Sequence, residues 1–302
     1  MLKSISVLRL RIVNLLFLSA CQLHATQIVF DSERDGQFDL FVMDSEGANA
    51  KRVVHTPGNG RSSQFPDWSP DRKKIAFASD RDGPWEIYAI NADGTSLQRL
   101  THTIVEGGMG SPDWSPDGSK IAFTAGTFAK SEIRLMYADG SHVLSLTSSE
   151  REGSCSFPAW SPDGKTLAFA SYRGGIWDIY VMNSDGSDAR PITHSSGQEV
   201  VYNAPAWSPD GKRIVFDSRR GGKWDIFVMG ADGSNERQLT RSEGVNSRPA
   251  WSRDGKRIAF HSTRDRPTGN ERMDFEVYVI DADGSHVRRL TSNTAFDGHP
   301  DW

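Results

Sequence analysis

The sequence predicts an all-β fold: a six-bladed β-propeller of four-stranded antiparallel blades, with the ring closed by the C-terminal strand joining the N-terminal blade. Three observations predict it. A Pro-x-Trp unit recurs at Pro66/Trp68, Pro112/Trp114, Pro158/Trp160, Pro205/Trp207, Pro249/Trp251 and Pro300/Trp302, with Trp spacings of 46, 46, 47, 44 and 51 residues. Each whole unit then passes through three turn signals separated by short β-rich runs. Finally, residues 27–54 match strands two to four of a repeat without its Trp-bearing first strand, and residues 299–302 supply only that strand.

The elements follow from the fourth repeat, PAWSPDGKRIVFDSRRGGKWDIFVMGADGSNERQLT. The Trp lies in a short first strand. Ser208-Pro209-Asp210-Gly211 is a turn, because Pro presets φ and Gly tolerates positive φ. Residues 213–218 form a second strand rich in β-formers, residues 219–222 a turn, and residues 224–229 a third strand. Ala231-Asp232-Gly233 is a hairpin signal, and residues 235–240 form the fourth strand. Four antiparallel strands in about 46 residues make one blade. The second and third strands are nearly all apolar, as a sheet covered on both faces requires. Sharing one repeat between the two chain ends leaves no free edge at the seam. No segment after residue 21 has a helical period.

The chain has 302 residues and a net charge of −4, so no basic field argues for nucleic acid. Lys3, Arg9 and Arg11 precede an apolar run at 12–20, too short to span a bilayer but suited to a signal peptide over residues 1–21. Leu18-Ser19-Ala20-Cys21 resembles a lipobox, which makes Cys21 the lipidation candidate; cleavage near Ala20 or Ala25 is the alternative. Residues 22–302 are then the propeller, exported to the periplasm or held at the outer membrane by an N-terminal lipid. Only Cys21 and Cys155 are present, which allows a disulfide but no zinc pattern.

The pattern PxWSPDGxxIAFxSxRxGxxDIYVMNxDGSxxRxLT is similar to the propeller repeat of the TolB-like family, the PD40 or WD40-like group, and covers essentially everything after residue 21. The resemblance implies a propeller in the cell envelope. TolB itself belongs to the Tol–Pal system, docks the lipoprotein Pal through its propeller, and carries a preceding α/β domain for which there is no room between Cys21 and Gln27. The expectation is therefore a monomeric, non-catalytic scaffold without a cofactor, binding a protein of the cell envelope such as a lipoprotein. Similar repeats accompany serine peptidase domains and oligogalacturonate lyases. No G-x-S-x-G motif is present for the former.

Strand alternation puts the constant SPDG and DG turns on one face. The variable connections 55–65, 102–111, 148–157, 194–204, 241–248 and 292–299, and an insertion at 266–273, go to the other face, where recognition is expected. Glu106, Glu152, Glu199 and Glu243 each stand six residues before a Pro, forming an arc that either meets a basic partner or cation, or accepts loop N–H bonds. The residues before each Pro, Phe65, Ser111, Phe157, Ala204, Arg248 and His299, should enter the channel rim. Phe65, Phe157 and Tyr202 are candidate interface anchors, and the alternative for the Phe rings is packing between blades. Arg34, Arg81, Arg173 and Arg220 precede Asp39, Glu86, Asp178 and Asp225 by five and are expected to pair with them across hairpins. The enzyme alternative, a lyase-like saccharide site at the channel mouth, would draw on His299, Arg248, Tyr202 and the Glu arc. No metal site is expected, since His55, His102 and His194 share one repeat position and are spread around the ring.

Overall fold

The second strand of every repeat is buried on both faces, and this dictates the architecture. In the computed structural model, which describes residues 27–58, 60–102, 107–195, 200–265 and 274–302, the chain forms 24 strands and one short helix. The first sheet contains β1 (Gln27–Ser32), β2 (Asp39–Asp44) and β3 (Lys51–Val54). The second contains β4 (Ser63–Trp68), β5 (Lys74–Ser79), β6 (Glu86–Asn91) and β7 (Gln98–Arg99). The third contains β8 (Gly108–Trp114), β9 (Lys120–Thr127), β10 (Lys130–Tyr137) and β11 (Leu144–Ser145), and α1 (Ser149–Glu152) follows it. Next come β12 (Ser154–Trp160), β13 (Thr166–Arg173), β14 (Ile176–Asn183) and β15 (Arg190–Pro191), then β16 (Val201–Trp207), β17 (Arg213–Arg220), β18 (Lys223–Gly230) and β19 (Arg237–Gln238). The last sheet is β20 (Asn246–Trp251), β21 (Arg257–Ser262), β22 (Glu276–Asp281) and β23 (Arg288–Arg289), and the chain ends in β24 (Asp297–Asp301).

The expectation of six blades of four antiparallel strands each is corrected by this topology, which has four such blades. Four blades are separate four-stranded antiparallel sheets, and β12 to β19 run together as one eight-stranded sheet. The junction is a parallel pairing of Trp177 in β14 with Val201 in β16. The difference is local. The corresponding strands β2, β6 and β22 begin two residues later, at the acidic residue, and there the next repeat is met by one hydrogen bond: Ser63 N to Phe38 O (2.9 Å), Met109 N to Trp85 O (3.0 Å) or Asp297 N to Phe275 O (2.8 Å). The β13–β14 hairpin extends through Ile176 and Trp177 and a bridge forms there, whereas the equally long β9–β10 and β17–β18 hairpins make none. Two smaller differences accompany it. The outermost strands shrink to two residues in all sheets but the first, and α1 forms where no helix is expected.

β24 pairs with β1, with Val29 opposite Asp301 and Ser32 opposite Asp297. Strand alternation sends neighbouring residues to opposite faces. Ala76 and Ala78 pack toward Met109, Trp114 and Phe123, whereas Ile75 and Phe77 pack toward Val29, Leu40 and Val42. Each apolar cluster thus joins consecutive repeats, and the cluster of Ala259, Val277 and Val279 with Ile28, Phe30 and Trp302 joins the last repeat to the first. Cys155 is buried in one such cluster, and Cys21 lies outside the described residues.

The expected hairpin ion pairs do not form. Arg34 bonds Asp297 (3.0 Å) and Arg220 bonds Glu236 (2.7 Å). The register sets Ser32, not Arg34, opposite Asp39, so the arginine lies beyond the strand pair and folds back over aromatic rings. Arg34 covers Phe41, Arg81 covers Phe77 and Tyr88, Arg173 covers Tyr180 and Arg220 covers Phe227. The acidic residues bind the repeat-ending Thr instead: Thr193 donates to Asp178 (2.8 Å) and Thr240 to Asp225 (2.7 Å), and Arg99 pairs with Glu86 (2.7 Å).

The DG turns also pack between repeats. Gly233 has φ +87°, and a Cβ there would lie 2.1 Å from the carbonyl oxygen of Ile192. Gly233→Ala combines positive-φ strain with a clash against backbone that has no room to yield. It is expected to destabilise the fold by about 2 kcal/mol or more, read as a lower denaturation midpoint in urea. An unchanged midpoint would mean that the two repeats are not packed this tightly.

Candidate functional site

The six residues preceding the repeat prolines all adopt the left-handed conformation: Phe65 (φ 56°), Ser111 (46°), Phe157 (56°), Ala204 (41°), Arg248 (57°) and His299 (45°). This backbone is uncommon for side-chain-bearing residues and costs roughly 1–2 kcal/mol each. It arises because every first strand is bulged at this point, for example between Gln64 and Asp67 and between Ser247 and Ala250. A bulge re-aims side chains, and here it turns all six into the central channel. Four of their N–H groups are held by one repeated position in the preceding second strand. Phe65 N donates to Asp31 Oδ2 (3.2 Å), Phe157 N to Thr124 Oγ1 (3.1 Å), Arg248 N to Asp217 Oδ2 (3.2 Å) and His299 N to His261 Nδ1 (3.2 Å).

The channel comprises two cavities. The lower, of about 400 Å³, is lined by these six residues, their prolines and three of the first-strand tryptophans, Trp160, Trp207 and Trp251. The upper, of about 680 Å³, opens among the variable loops and is walled by Trp85, Met109, Phe128, Trp177, Val201 and Trp224. Phe65, Ser111, Phe157 and Arg248 line both and form the waist between them. At the rim, Phe128 is 87% exposed at the tip of the β9–β10 hairpin, and its ring lies 6.2 Å from that of Trp177, which in turn lies 5.4 Å from Tyr172. An exposed aromatic patch continuous with an apolar cleft marks an interaction site.

One side of the waist is ionisable. His299 Nδ1 lies 2.7 Å from Asp31 Oδ2. Because His261 Nδ1 accepts from the His299 backbone, its proton is on Nε2, 2.5 Å from Ser247 Oγ. Burial holds both imidazoles well below their ordinary pKa and Asp31 well above its own; Arg248 depresses both imidazoles further, and His299 also acts on His261. Burial raises Asp217 to about 6, against the pull of Arg248. The Arg248 guanidinium lies 3.8 Å from the Phe157 ring centre and 5.3 Å from that of Phe65.

The lower cavity holds three carboxylates, those of Asp67, Asp113 and Asp301. Each accepts the backbone N–H of the next repeat's Trp, at 2.8 Å (Trp114), 2.7 Å (Trp160) and 2.8 Å (Trp68). Burial raises all three pKa values, that of Asp113 to about 8, with mutual repulsion adding to the rise for Asp67 and Asp113. Two departures from the repeat consensus answer this charge. Arg72 stands where four other units have the turn Gly and adopts its left-handed backbone (φ 61°), and Arg253 stands where the other turns have Pro. Arg72 favours the charged forms of Asp67 and Asp301, and Arg253 that of Asp301. Arg253 also donates to the carbonyl of Pro70 across the cavity.

Phe65, Phe157, Arg248 and His299 are therefore brought together at the channel. Tyr202 is not; it is 7% exposed and packs on Phe216, because it stands on the core-facing side of β16. Glu152 accepts the backbone N–H of Ser148 (2.9 Å), and Glu243 pairs with Lys223 (2.8 Å). Glu106, Glu199 and the 266–273 insertion lie outside the described residues. Sequence reasoning missed Trp85, Trp177 and Trp224. Their signal is an aromatic residue immediately before the acidic residue of the third strand, as in PWE, IWD and KWD. Among the described residues, no group of three or more His, Cys, Asp or Glu is arranged for a metal ion, and no helix is long and apolar enough to cross a membrane.

A family model described as the TolB beta propeller domain matches residues 21–152 and 101–203, which together make up more than half of the chain. A search of curated proteins finds no match. Among solved structures, the chain is similar to TolB from Acinetobacter baumannii, with a TM-score of 0.76 and 24% identity over 93% of this chain and 67% of that one. It is also similar to a protein described as TolB from Agrobacterium tumefaciens, with a TM-score of 0.70 and 26% identity over 90% and 91% of the two chains. Oligogalacturonate lyase from Vibrio parahaemolyticus shares the fold at a TM-score of 0.59 and 15% identity, over 88% of this chain and 74% of that one.

Proposed function

Because this chain belongs to the TolB β-propeller family, we propose that it is a non-catalytic binding scaffold of the cell envelope that docks a protein partner on its variable-loop face. The observation that carries this reading is the aromatic cleft over the channel, walled by Trp85, Trp177 and Trp224 and extended outward by Phe128 and Tyr172. Large aromatic side chains in a preformed depression are what interface anchors fill or become. The residues that wall this cleft differ from repeat to repeat. At the position of the three tryptophans, the other repeats carry Phe38, Ser131 and Phe275, so the surface is asymmetric and can specify one orientation of a partner. Phe65, Phe157, Arg248 and His299 form the floor and waist of this site, and Glu152 and Glu243 belong to the surrounding loops. Export follows from the signal-like residues 1–21, with Cys21 as the lipid anchor, and a monomer suffices for such a scaffold.

The test is capture of an envelope protein by the wild type and by a Phe128→Ala/Trp177→Ala variant. Lys165→Ala, on the exposed turn of the opposite face, serves as control. At least tenfold less capture by the double variant, with the control unchanged, is expected; equal capture by all three would remove this face from the reading. A saccharide-cleaving enzyme is the second reading, favoured by His299 on Asp31 beside Arg248. Absence of product from oligogalacturonate, and from other acidic glycans, would end it.

A further inference from the structure

Of the six residues turned into the channel, Arg248 alone carries a permanent charge. Its backbone N–H is held by Asp217, but among the described residues its guanidinium makes no hydrogen bond or ion pair. Asp217 and Asp31 act on it only through space, and each keeps a buried Oδ1 without a partner. A guanidinium carries five N–H donors in a planar fork. Here the group lies over Phe157 and beside Phe65, and it faces both cavities. Packed against aromatic rings with its donors unused, such a fork is prepared for a carboxylate, which it meets through two parallel N–H···O bonds. Withdrawal from bulk water strengthens that pairing.

The walls above Arg248 restrict what brings the carboxylate. They are mostly apolar, and besides Arg248 the hydroxyl and amide side chains are few and small: Ser111, Thr124, Thr127, Ser131, Ser156 and Asn203. A saccharide would forfeit water at several hydroxyls for few replacements, and each buried hydroxyl left unpaired costs about 1–3 kcal/mol. An apolar side chain loses nothing by the same transfer.

We infer that the upper cleft receives a segment of the docked protein that presents a carboxylate to Arg248 and an adjacent apolar side chain to Trp85, Trp177 and Trp224. This rests on the docking reading above and names the chemistry that the cleft selects. The carboxylate is that of an Asp or Glu side chain or of the chain terminus, and the two differ in a direct measurement.

Two acid–amide pairs serve as probes in isothermal titration of the whole protein: N-acetyl-Phe-Glu-amide against N-acetyl-Phe-Gln-amide, and N-acetyl-Phe against N-acetyl-Phe-amide. At least a tenfold preference for the acid is expected in one pair, and that pair identifies the source. Arg248→Gln is expected to erase the preference and Arg248→Lys to retain part of it, with both variants checked for native circular dichroism. The wild-type pairs remain decisive if a variant does not fold. Equal binding within both pairs, no detectable binding of either acid, or a preference that survives in Arg248→Gln would overturn the inference. Loss of capture on Phe128→Ala/Trp177→Ala combined with equal binding within the pairs would keep the docking face and discard the carboxylate.

Discussion

Deleting residues 297–302 is expected to leave a chain that does not fold cooperatively. The segment is only six residues long, but it supplies the partner strand of β1 and the indole of Trp302, which is 6% exposed between the first and last repeats. Arg257 stacks on that ring at 4.7 Å, and Asp301 accepts the backbone N–H of Trp68 (2.8 Å). Removing a buried Trp side chain alone costs about 3–5 kcal/mol. Removing the whole strand also bares the edge of β1 and opens a packed seam, and the total approaches the whole stability of an ordinary domain, roughly 5–15 kcal/mol. Trp302→Ala should therefore fold with a lowered midpoint, whereas the deletion should give no sigmoidal urea transition by tryptophan fluorescence. A deletion variant with a near-native transition would show that the ring does not depend on its terminal strand.

Asp113→Asn is expected to stabilise the protein at pH 8.5 by on the order of 5 kcal/mol and at pH 5 by only about 1 kcal/mol. Burial and the nearby Asp301 raise the Asp113 pKa to about 8, well above an unfolded value near 4. Between these values the folded state binds more protons than the unfolded one, so unfolding releases protons and stability declines as pH rises. The contribution is complete below about pH 4 and lost once pH has passed about 8. Asparagine keeps an oxygen for the Trp160 N–H, now held by Asp113 at 2.7 Å, and carries no charge to be expelled from the channel. Thermal unfolding of both proteins at the two pH values measures the effect. A gap of roughly 10–20 °C at pH 8.5 that narrows to a few degrees at pH 5 is expected, since 1 kcal/mol moves the midpoint of a domain this size by roughly 2–4 °C. A gap independent of pH would mean that the carboxylate stays hydrated and ionised.

Much of the fold was legible because propeller repeats carry redundant signals. The Trp spacing, the SPDG turns and the split first repeat each point to a ring, and the pairing of β24 with β1 follows from the last of these. The continuous sheet from β12 to β19 was not legible, because it rests on a single parallel bridge from Trp177 to Val201, which the nearly identical WDIYVM and WDIFVM segments do not reveal. The hairpin ion pairs were misread because a separation of five residues does not say on which side of a strand pair an arginine emerges. At the site, the residues before each proline were legible by position, since their variety contrasts with the constant turns around them. Tyr202 was misjudged because two residues along a bulged strand separate the channel from the core. The three tryptophans of the upper cleft went unnoticed because aromatic residues beside strands ordinarily signify packing.

The left-handed positions ahead of the prolines also bear on how such a molecule diversifies. Their backbone shape is imposed by the bulge and by the neighbouring strand, not by the residue that occupies them: phenylalanine, serine, alanine, arginine and histidine all stand there with nearly the same φ. Chemistry at the heart of the ring is thereby separated from the architecture that surrounds it. Six independent addresses converge on one passage, and a lineage, or an engineer, can rewrite its selectivity one codon at a time without renegotiating the scaffold.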